Sequence, residues 1–227
     1  MSSPIPVPLV PIPPSSTALF TAINTYVHTY MSAYDSSHDY NHILRVLSNA
    51  NTLLNLELAR SPSTTYDTTL LFLSALLHDV GDHKYLKPGE DPSTAAQTIL
   101  LTHGASPSLA SAVQTLVTHV SYSHETRNPA GVAAVLSQHP ELAIVQDADR
   151  LDAIGAVGIG RCFSFGAAKF PDQPMDRAIE HFGEKLYRLE GMMKTESGRG
   201  LARRRTEVLR RFAEEWREET VLSFEVS

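Results

Sequence analysis

A hydrophobic run at residues 70–77 ends abruptly in two side chains that can bind a metal ion, His78 and Asp79. An imidazole and a carboxylate offer the nitrogen and oxygen donors that suit Mn²⁺, Fe, Ni²⁺, Zn²⁺ or Mg²⁺. Neighbouring positions on a helix point about 100° apart, so both can reach one ion only if it lies beside the helix end. Two ligands are too few for a protein site, and the others must come from elsewhere in the chain.

Two further stretches supply candidate ligands. His42 stands in "DYNHILRV", on a predicted helix whose opposite side is apolar, with Arg45 about one turn further on. The string "QDADRLDAIG" holds Asp147, Asp149 and Asp152 close together at the end of an apolar run. Carboxylates at such spacing repel one another unless a cation lies nearby. These residues by themselves leave open which of the aspartates completes a site.

The order of His42, His78-Asp79 and Asp149 resembles the H…HD…D signature of the HD-domain metal-dependent phosphohydrolases. The strings "HDYNHILRV", "LLHDVGDHKY" and "IVQDADRLDAIGAVGIGR" are similar to a branch of that superfamily typified by the YedJ- and YpgQ-like proteins. The resemblance covers roughly residues 20–190 and implies an all-α fold, the HD-domain helical bundle. Related proteins place their last ligand in the "ADRL" string, which favours Asp149, with Asp147 as the second choice.

By this resemblance, His42, His78, Asp79 and Asp149 would ligate one divalent metal ion, with water in the open positions. Mn²⁺ is the first expectation, and Mg²⁺, Co²⁺, Ni²⁺, Fe²⁺ or Zn²⁺ are alternatives. Such an ion polarises a phosphoryl oxygen and lowers the pKa of a bound water.

Further residues have predicted catalytic and substrate-binding roles. Asp82 lies where some HD phosphohydrolases carry an acidic residue that assists proton transfer, and we assign it general acid/base chemistry or water orientation. Lys84 offers a flexible positive charge for phosphate oxygens, in both a catalytic and a binding role. Arg45 and Arg150 are further phosphate-binding candidates, although either could instead pair with a neighbouring aspartate. His119 is predicted to line the pocket.

His119 and His124 also raise the question of a second metal, because some HD subfamilies add histidines in this region. Here the pattern is incomplete, which favours a single ion. The predicted activity is hydrolysis of a nucleotide, with nucleoside triphosphate pyrophosphohydrolysis as the specific reaction, or of another small phosphorylated metabolite. The alternatives are a phosphomonoesterase acting on nucleoside monophosphates, a di-iron HD oxygenase and a non-catalytic metal-containing binding module.

The composition is that of an ordinary globular protein, with 227 residues, 42% hydrophobic and 19% charged. A net charge of −6 argues against an extended nucleic-acid surface. The single cysteine, Cys162, cannot form an internal disulfide, so a reducing, cytoplasmic location is expected. No apolar run approaches the length of about 18 residues that a membrane span needs, so a membrane partner is not expected. The sequence leaves open whether the protein forms a homo-oligomer.

The chain reads as a flexible proline-rich leader, residues 1–16, followed by a single HD-type helical domain, residues 17–227, that ends in a charged helix. Helical periodicity predicts one helix over residues 40–60 and a helix apolar on all sides over residues 68–80. Another helix is predicted to open at residues 91–93, and two helical segments to meet near residues 155–160. Strand alternation is missing, apart from the ambiguous run "ELAIVQ".

Overall fold

The computed structural model describes residues 5–81 and 91–225, and all regular structure within those ranges is helical. The predicted all-α architecture is confirmed. The described part of the chain contains two 3₁₀ segments, Pro14–Ser16 and Leu186–Met192, and these α-helices: α1 (Thr17–Met31), α2 (Tyr40–Arg60), α3 (Thr68–Leu77), α4 (Ala95–Thr102), α5 (Pro107–Val120), α6 (Tyr122–Arg127), α7 (Pro129–Gln138), α8 (Glu141–Asp152), α9 (Gly155–Lys169), α10 (Asp176–Glu184) and α11 (Glu196–Glu219).

Helix α3 lies in the middle of the bundle. Every residue from Thr69 to Leu77 is buried, because the helix packs against α1, α2, α5 and α8. Its start is set by Asp67, whose side chain accepts a hydrogen bond from the amide of Leu70 at 3.0 Å. The prediction of an apolar helix enclosed by its neighbours is therefore confirmed, but the helix ends at Leu77 and not at residue 80, with His78 at its C-cap position.

Helices α2 and α8 flank α3 and also pack against each other. The bounds of α2 agree with the predicted range 40–60. Asp39 caps its first turn by accepting the amide hydrogen of His42 at 3.1 Å, and the stripe from Ile43 to Leu54 is buried. The three helices that carry the sequence candidates are thus mutual neighbours.

The junction of α8 and α9 is a bend of 69° at Ala153 and Ile154, close to where two helical segments were predicted to meet. Gly155 adopts a φ of +75°, a left-handed conformation that favours glycine. A Cβ atom on Gly158 would lie 2.3 Å from the carbonyl oxygen of Ala153. The two glycines therefore permit the tight turn that brings the end of α8 against the start of α9.

Some predicted boundaries differ from the structure. Helix α4 begins at Ala95 and not at residues 91–93, because the Asp91 carboxylate accepts from both the amide and the hydroxyl of Ser93 and forms a turn instead. The ambiguous run "ELAIVQ" is the first half of α8. Helix α7 was not predicted, although Asn128 caps it and Pro129 opens it.

Part of the segment predicted to be a flexible leader contacts the helices. The carbonyl oxygen of Pro6 accepts hydrogen bonds from Asn24 at 3.0 Å and from Tyr40 at 3.2 Å. Val10 and Ile12 pack, partly buried, against the core. The division into a leader of residues 1–16 and a single domain of residues 17–227 stays a prediction.

Within the described residues, no single helix is both long and apolar enough to cross a membrane. Helices α8 and α9 pass that test only when taken together, despite the 69° bend between them.

The α8–α9 junction generates a stability prediction. Gly158→Ala should destabilise the protein by about 1–3 kcal/mol, because the added methyl group meets backbone that must shift. Gly160→Ala is the matched control, since its Cβ would meet nothing within 4 Å and alanine favours an exposed helix by about 0.5–1 kcal/mol. Thermal unfolding of both variants is the measurement. A Gly158→Ala protein as stable as Gly160→Ala would contradict the close approach.

Candidate metal centre

Side chains from three separated parts of the chain meet where α2, the end of α3 and α8 adjoin. The Nε2 atoms of His42 and His78 lie 3.1 Å apart. Asp149 Oδ1 lies 3.7 Å from each of those nitrogen atoms. These three residues form a group whose ligand atoms all lie within 4.8 Å of one another, which is the size of a metal site.

Asp79 completes the cluster. Its Oδ2 atom lies 3.2 Å from His42 Nε2, and its Oδ1 atom lies 3.5 Å from His78 Nε2. Among the described residues, the buried Oδ2 atom has no hydrogen-bond partner. A buried carboxylate oxygen without a donor is costly unless a cation or a proton compensates it.

The hydrogen bonds of the two histidines set which nitrogen faces the cluster. His42 Nδ1 lies 2.7 Å from Asp152 Oδ2, and His78 Nδ1 lies 2.8 Å from the carbonyl oxygen of Ala75. Both partners are acceptors, so each Nδ1 carries the hydrogen and donates it. Each Nε2 therefore presents a lone pair to the cluster, which is how a neutral histidine binds a metal ion.

The cluster thus brings together two imidazole lone pairs and two carboxylates, an arrangement that a divalent cation stabilises. Burial and the charge of Arg161 would lower the pKa of His42, but its hydrogen bond with Asp152 and the nearby negative charge of Asp79 outweigh them and raise it. Burial would raise the pKa of Asp79, yet His78 and His42 hold it well below its usual range. The surroundings therefore favour positive charge at the centre, and the donor set fits Mn²⁺, Fe²⁺, Co²⁺, Ni²⁺ or Zn²⁺.

The local fold explains why the ligands converge. His42 lies in the first turn of α2, directly after its cap, and His78 is the residue at which α3 ends. Asp149 lies in the last turn of α8. Polar side chains at helix ends can point away from the packed interior. The three helices can therefore carry candidate ligands while their apolar residues stay buried against one another.

The sequence offered Asp152 as one of three clustered carboxylates, and the structure places it behind His42. Asp152 is 2% exposed and accepts hydrogen bonds from Arg45 Nε at 2.7 Å and from Arg161 Nη1 at 3.1 Å, in addition to His42. Burial would raise the pKa of Asp152, but these partners lower it, so the carboxylate stays ionised. It holds the His42 ring in one orientation, as carboxylates behind metal-binding histidines do.

Asp147, the second choice for the last ligand, does not join the cluster. Its carboxylate accepts hydrogen bonds from the amide of Lys194 at 2.8 Å and from the amide and hydroxyl of Thr195 at 2.7 Å each. Burial raises the pKa of Asp147, although those hydrogen bonds oppose the shift. It anchors the start of α11, and Asp149 is the aspartate that faces the other ligands.

The predicted phosphate-binding arginines have protein partners. Arg45 makes a two-point ion pair with Asp152. Arg150 is 2% exposed and donates to the carbonyl oxygen of Met192 at 2.7 Å and to Glu125 at 2.5 Å. Their roles in substrate binding stay predictions. Asp82 and Lys84 lie outside the described residues.

A cavity of about 540 Å³ opens beside the cluster and has His78 in its wall. His119 does not line it, because its ring donates to the carbonyl oxygen of Thr115 and packs edge-on against His124 at 4.6 Å. The short helix α6 places His124 in the wall instead. The polar residues that line the cavity are His78, Ser93, Thr118, Ser121, His124 and Arg127.

Comparisons with known proteins agree with this geometry. A model of the HD domain family matches residues 39–154. The chain is 34% identical over 153 residues to Bacillus subtilis YpgQ, covering 64% of this chain and 70% of that protein. The crystal structure of B. subtilis YpgQ in complex with ADP has a TM-score of 0.66 and 31% identity, over 87% of this chain and 96% of that one. An HD-superfamily hydrolase from Bacillus thuringiensis has a TM-score of 0.54 and 28% identity, over 87% and 94%.

The chain therefore belongs to the HD domain family. It is an HD-superfamily hydrolase, a metal-dependent phosphohydrolase in the general sense, and the predicted family is confirmed. The family implies a divalent metal, and His42, His78 and Asp149 form a group that can hold one.

The hydrogen bond between Asp152 and His42 generates a prediction about metal affinity. Asp152→Asn should weaken Mn²⁺ binding by about 10- to 100-fold, because the His42 ring loses the anionic acceptor that orients it. Equilibrium dialysis with Mn²⁺ measures the affinity, and circular dichroism checks the fold. The exposed Asp172 provides the control Asp172→Asn, which should bind Mn²⁺ like the wild type. Unchanged affinity in Asp152→Asn would show that Asp152 is dispensable for the centre.

Proposed function

We propose that this phosphohydrolase acts on a nucleotide and that its reaction is nucleoside triphosphate pyrophosphohydrolysis. One observation carries the proposal: His78 of the cluster lies in the wall of a cavity of about 540 Å³, and His42, Asp79 and Asp149 line a smaller cavity of about 100 Å³ that shares Ser121 with it. The larger volume falls within the range of about 300–1,000 Å³ typical of small-molecule sites. The similar protein YpgQ has been crystallised with ADP, which supports a nucleotide as the ligand class.

The cavity wall suits phosphate groups. Ser121 brings a hydroxyl group that accepts the amide hydrogen of His124 and can donate its own hydrogen to a phosphate oxygen, and Arg127 adds a positive charge. His124 presents a buried Nε2 atom that has no hydrogen-bond partner among the described residues. A triphosphate chain placed in this cavity would therefore reach His78 of the metal cluster at one point and the positive charge of Arg127 at another.

In the proposed reaction, His42, His78, Asp79 and Asp149 hold one divalent ion, for which Mn²⁺ is our proposal. The bound ion would polarise a phosphoryl oxygen and lower the pKa of a bound water. Asp152 fixes the orientation of His42. The predicted roles of Asp82 in proton transfer and of Lys84 in charge neutralisation belong to this proposal as well, and so does a cytoplasmic location.

The other predicted binding residues have indirect roles in the proposal. Arg45 and Arg150 are engaged by Asp152 and Glu125, so we expect them to support the site from behind. His119 would act through its edge contact with His124. Among the described residues, the group around His42 is the one potential metal cluster, which favours one ion over the two of an HD oxygenase.

The activity prediction is tested by incubating the protein with nucleoside tri-, di- and monophosphates in Mn²⁺, Mg²⁺, Co²⁺ or Ni²⁺. Phosphate and pyrophosphate are measured separately. We expect pyrophosphate from at least one triphosphate, and its loss in the double variant His78→Ala/Asp79→Ala, because the ion loses two of its ligands. Circular dichroism confirms that the variant is folded.

Four outcomes would count against this proposal. Equal release from the wild type and the double variant would place the activity outside the assigned site. Release of phosphate from monophosphates alone would favour a phosphomonoesterase. Two irons per chain with no phosphate release would favour an oxygenase, and a metal-loaded protein inert to every compound would favour a binding module.

Arg127→Ala should raise the KM for the triphosphate by about tenfold with little change in kcat, because a charged hydrogen bond to substrate contributes about 1.5–3 kcal/mol. Arg217→Ala is the control, since Arg217 is exposed at the far end of α11 and does not line the cavity. Steady-state kinetics of both variants provide the comparison. A KM equal to that of Arg217→Ala would exclude Arg127 from the binding site.

A further inference from the structure

A second cavity of about 540 Å³ lies between α2, the start of α9 and α11. None of the four metal-centre residues lines it. We call it the arginine pocket, defined by Arg45, Asn49, Gly155, Arg204 and Arg205. It is the same size as the cavity beside His78, and the proposed reaction involves only Arg45 and Asp152 of its wall, which support His42 from behind.

The arginine pocket carries an excess of positive charge. Among the described residues, three guanidinium groups line it, and Asp152 is the one carboxylate in its wall. Both oxygen atoms of Asp152 are already occupied, since Arg45 binds each of them and His42 also binds Oδ2. Neither Arg204 nor Arg205 forms an ion pair with any carboxylate in the described part of the chain. Arg204 therefore has no carboxylate partner among the described residues, and Arg205 has the nearby charge of Asp152 without an ion pair to it.

Two of the three arginines are held in place by the fold. Arg205 donates to the carbonyl oxygen of Leu151 at 2.5 Å and to Asn49 Oδ1 at 3.2 Å. Its methylene groups pack against Gly155, where a Cβ atom would lie 3.1 Å from Arg205 Cγ. Arg45 is fixed by Asp152. Charges held in position before binding lose little conformational freedom when an anion arrives.

Arg204 and the N-terminus of α9 add further positive potential to the pocket. Arg204 is exposed and lies next to Arg205 on α11. Helix α9 begins in the pocket wall, and Ile154 at its cap position has no side-chain hydrogen bond to the first turn. The positive end of a 15-residue helix therefore adds to the field of the arginines.

We propose that the arginine pocket binds a polyphosphate anion, either free or carried by a small molecule. Guanidinium groups bind phosphate oxygens in paired hydrogen bonds, and Arg204 and Arg205, which form no ion pair with a described carboxylate, match a group with several charged oxygens. The apolar residues Ile154, Val157, Leu201 and Val208 also line the cavity and provide a surface for the remainder of a larger ligand. The site is distinct from the metal centre and does not depend on the proposed reaction.

The test is isothermal titration calorimetry of the full-length protein in EDTA, with inorganic pyrophosphate in one arm and ATP in the other. Metal removal prevents hydrolysis and metal-dependent binding. Arg204→Glu should weaken pyrophosphate binding by at least about tenfold, a loss of about 1.4 kcal/mol. If ATP binds more tightly than pyrophosphate, the preferred ligand is an organic phosphate. If the two bind equally, the preferred ligand is a free polyphosphate.

Two matched variants control for charge and for location. Arg203→Glu makes the same charge change one residue away on α11, at an exposed position outside the pocket, and should bind within about twofold of the wild type. Arg127→Glu alters the cavity beside His78 and should also leave this binding intact. Circular dichroism checks each fold, and Arg204→Gln replaces Arg204→Glu if the latter is unfolded.

The proposal is overturned by any of three results. Equal weakening in Arg203→Glu and Arg204→Glu would show a diffuse charge effect. Loss in Arg127→Glu with retention in Arg204→Glu would place the anion beside the metal centre. Absence of measurable heat in the wild type with both ligands would show that the arginine pocket does not bind polyphosphate.

Discussion

The structure depends on one electrostatic constraint, which is that lone pairs of two buried imidazoles and two carboxylates face one another at the junction of α2, α3 and α8. The Nε2 atoms of His42 and His78 lie 3.1 Å apart, and the hydrogen of each ring is on Nδ1, which faces away from the other ring. Such an arrangement is unfavourable in a protein interior unless a cation is shared among its members. The apolar packing of α3 against its neighbours holds the groups together, and the family chemistry supplies the cation that makes their proximity favourable.

The three aspartates near the end of α8 each have different contacts in this arrangement. Asp147 binds the backbone at the start of α11, Asp149 faces the histidines, and Asp152 binds His42 from behind. Their side chains point in different directions because successive helix positions rotate by about 100°. One short segment therefore ties the last long helix to the bundle, provides a ligand and fixes the orientation of another.

Much of the fold followed from the sequence, and the limits have physical causes. Helix α2 and the buried α3 were predicted because periodicity and capping residues are local properties. Asp149 was selected over Asp147 by resemblance alone, since both stand in the same apolar segment and only packing decides which one faces the histidines. The contact of Asp152 with His42 spans 110 positions of the chain and has no local signature. The preference for His124 over His119 in the cavity wall depends on a short helix that the sequence pattern did not separate from α5.

The origin of the ligands and of the cavity wall has a consequence for how this scaffold can diversify. The ligands come from α2, α3 and α8, which are packed on one another, whereas most of the polar wall of the cavity beside His78 comes from the end of α5, from α6 and from the turn around Ser93. The wall residues Ser93, Ser121 and Arg127 are exposed and lie outside the three helices that carry the cluster. Under the proposed function, substitutions in that wall would change which molecule is accepted and leave the geometry of the metal cluster unaltered, so selectivity and reactivity would be separable traits.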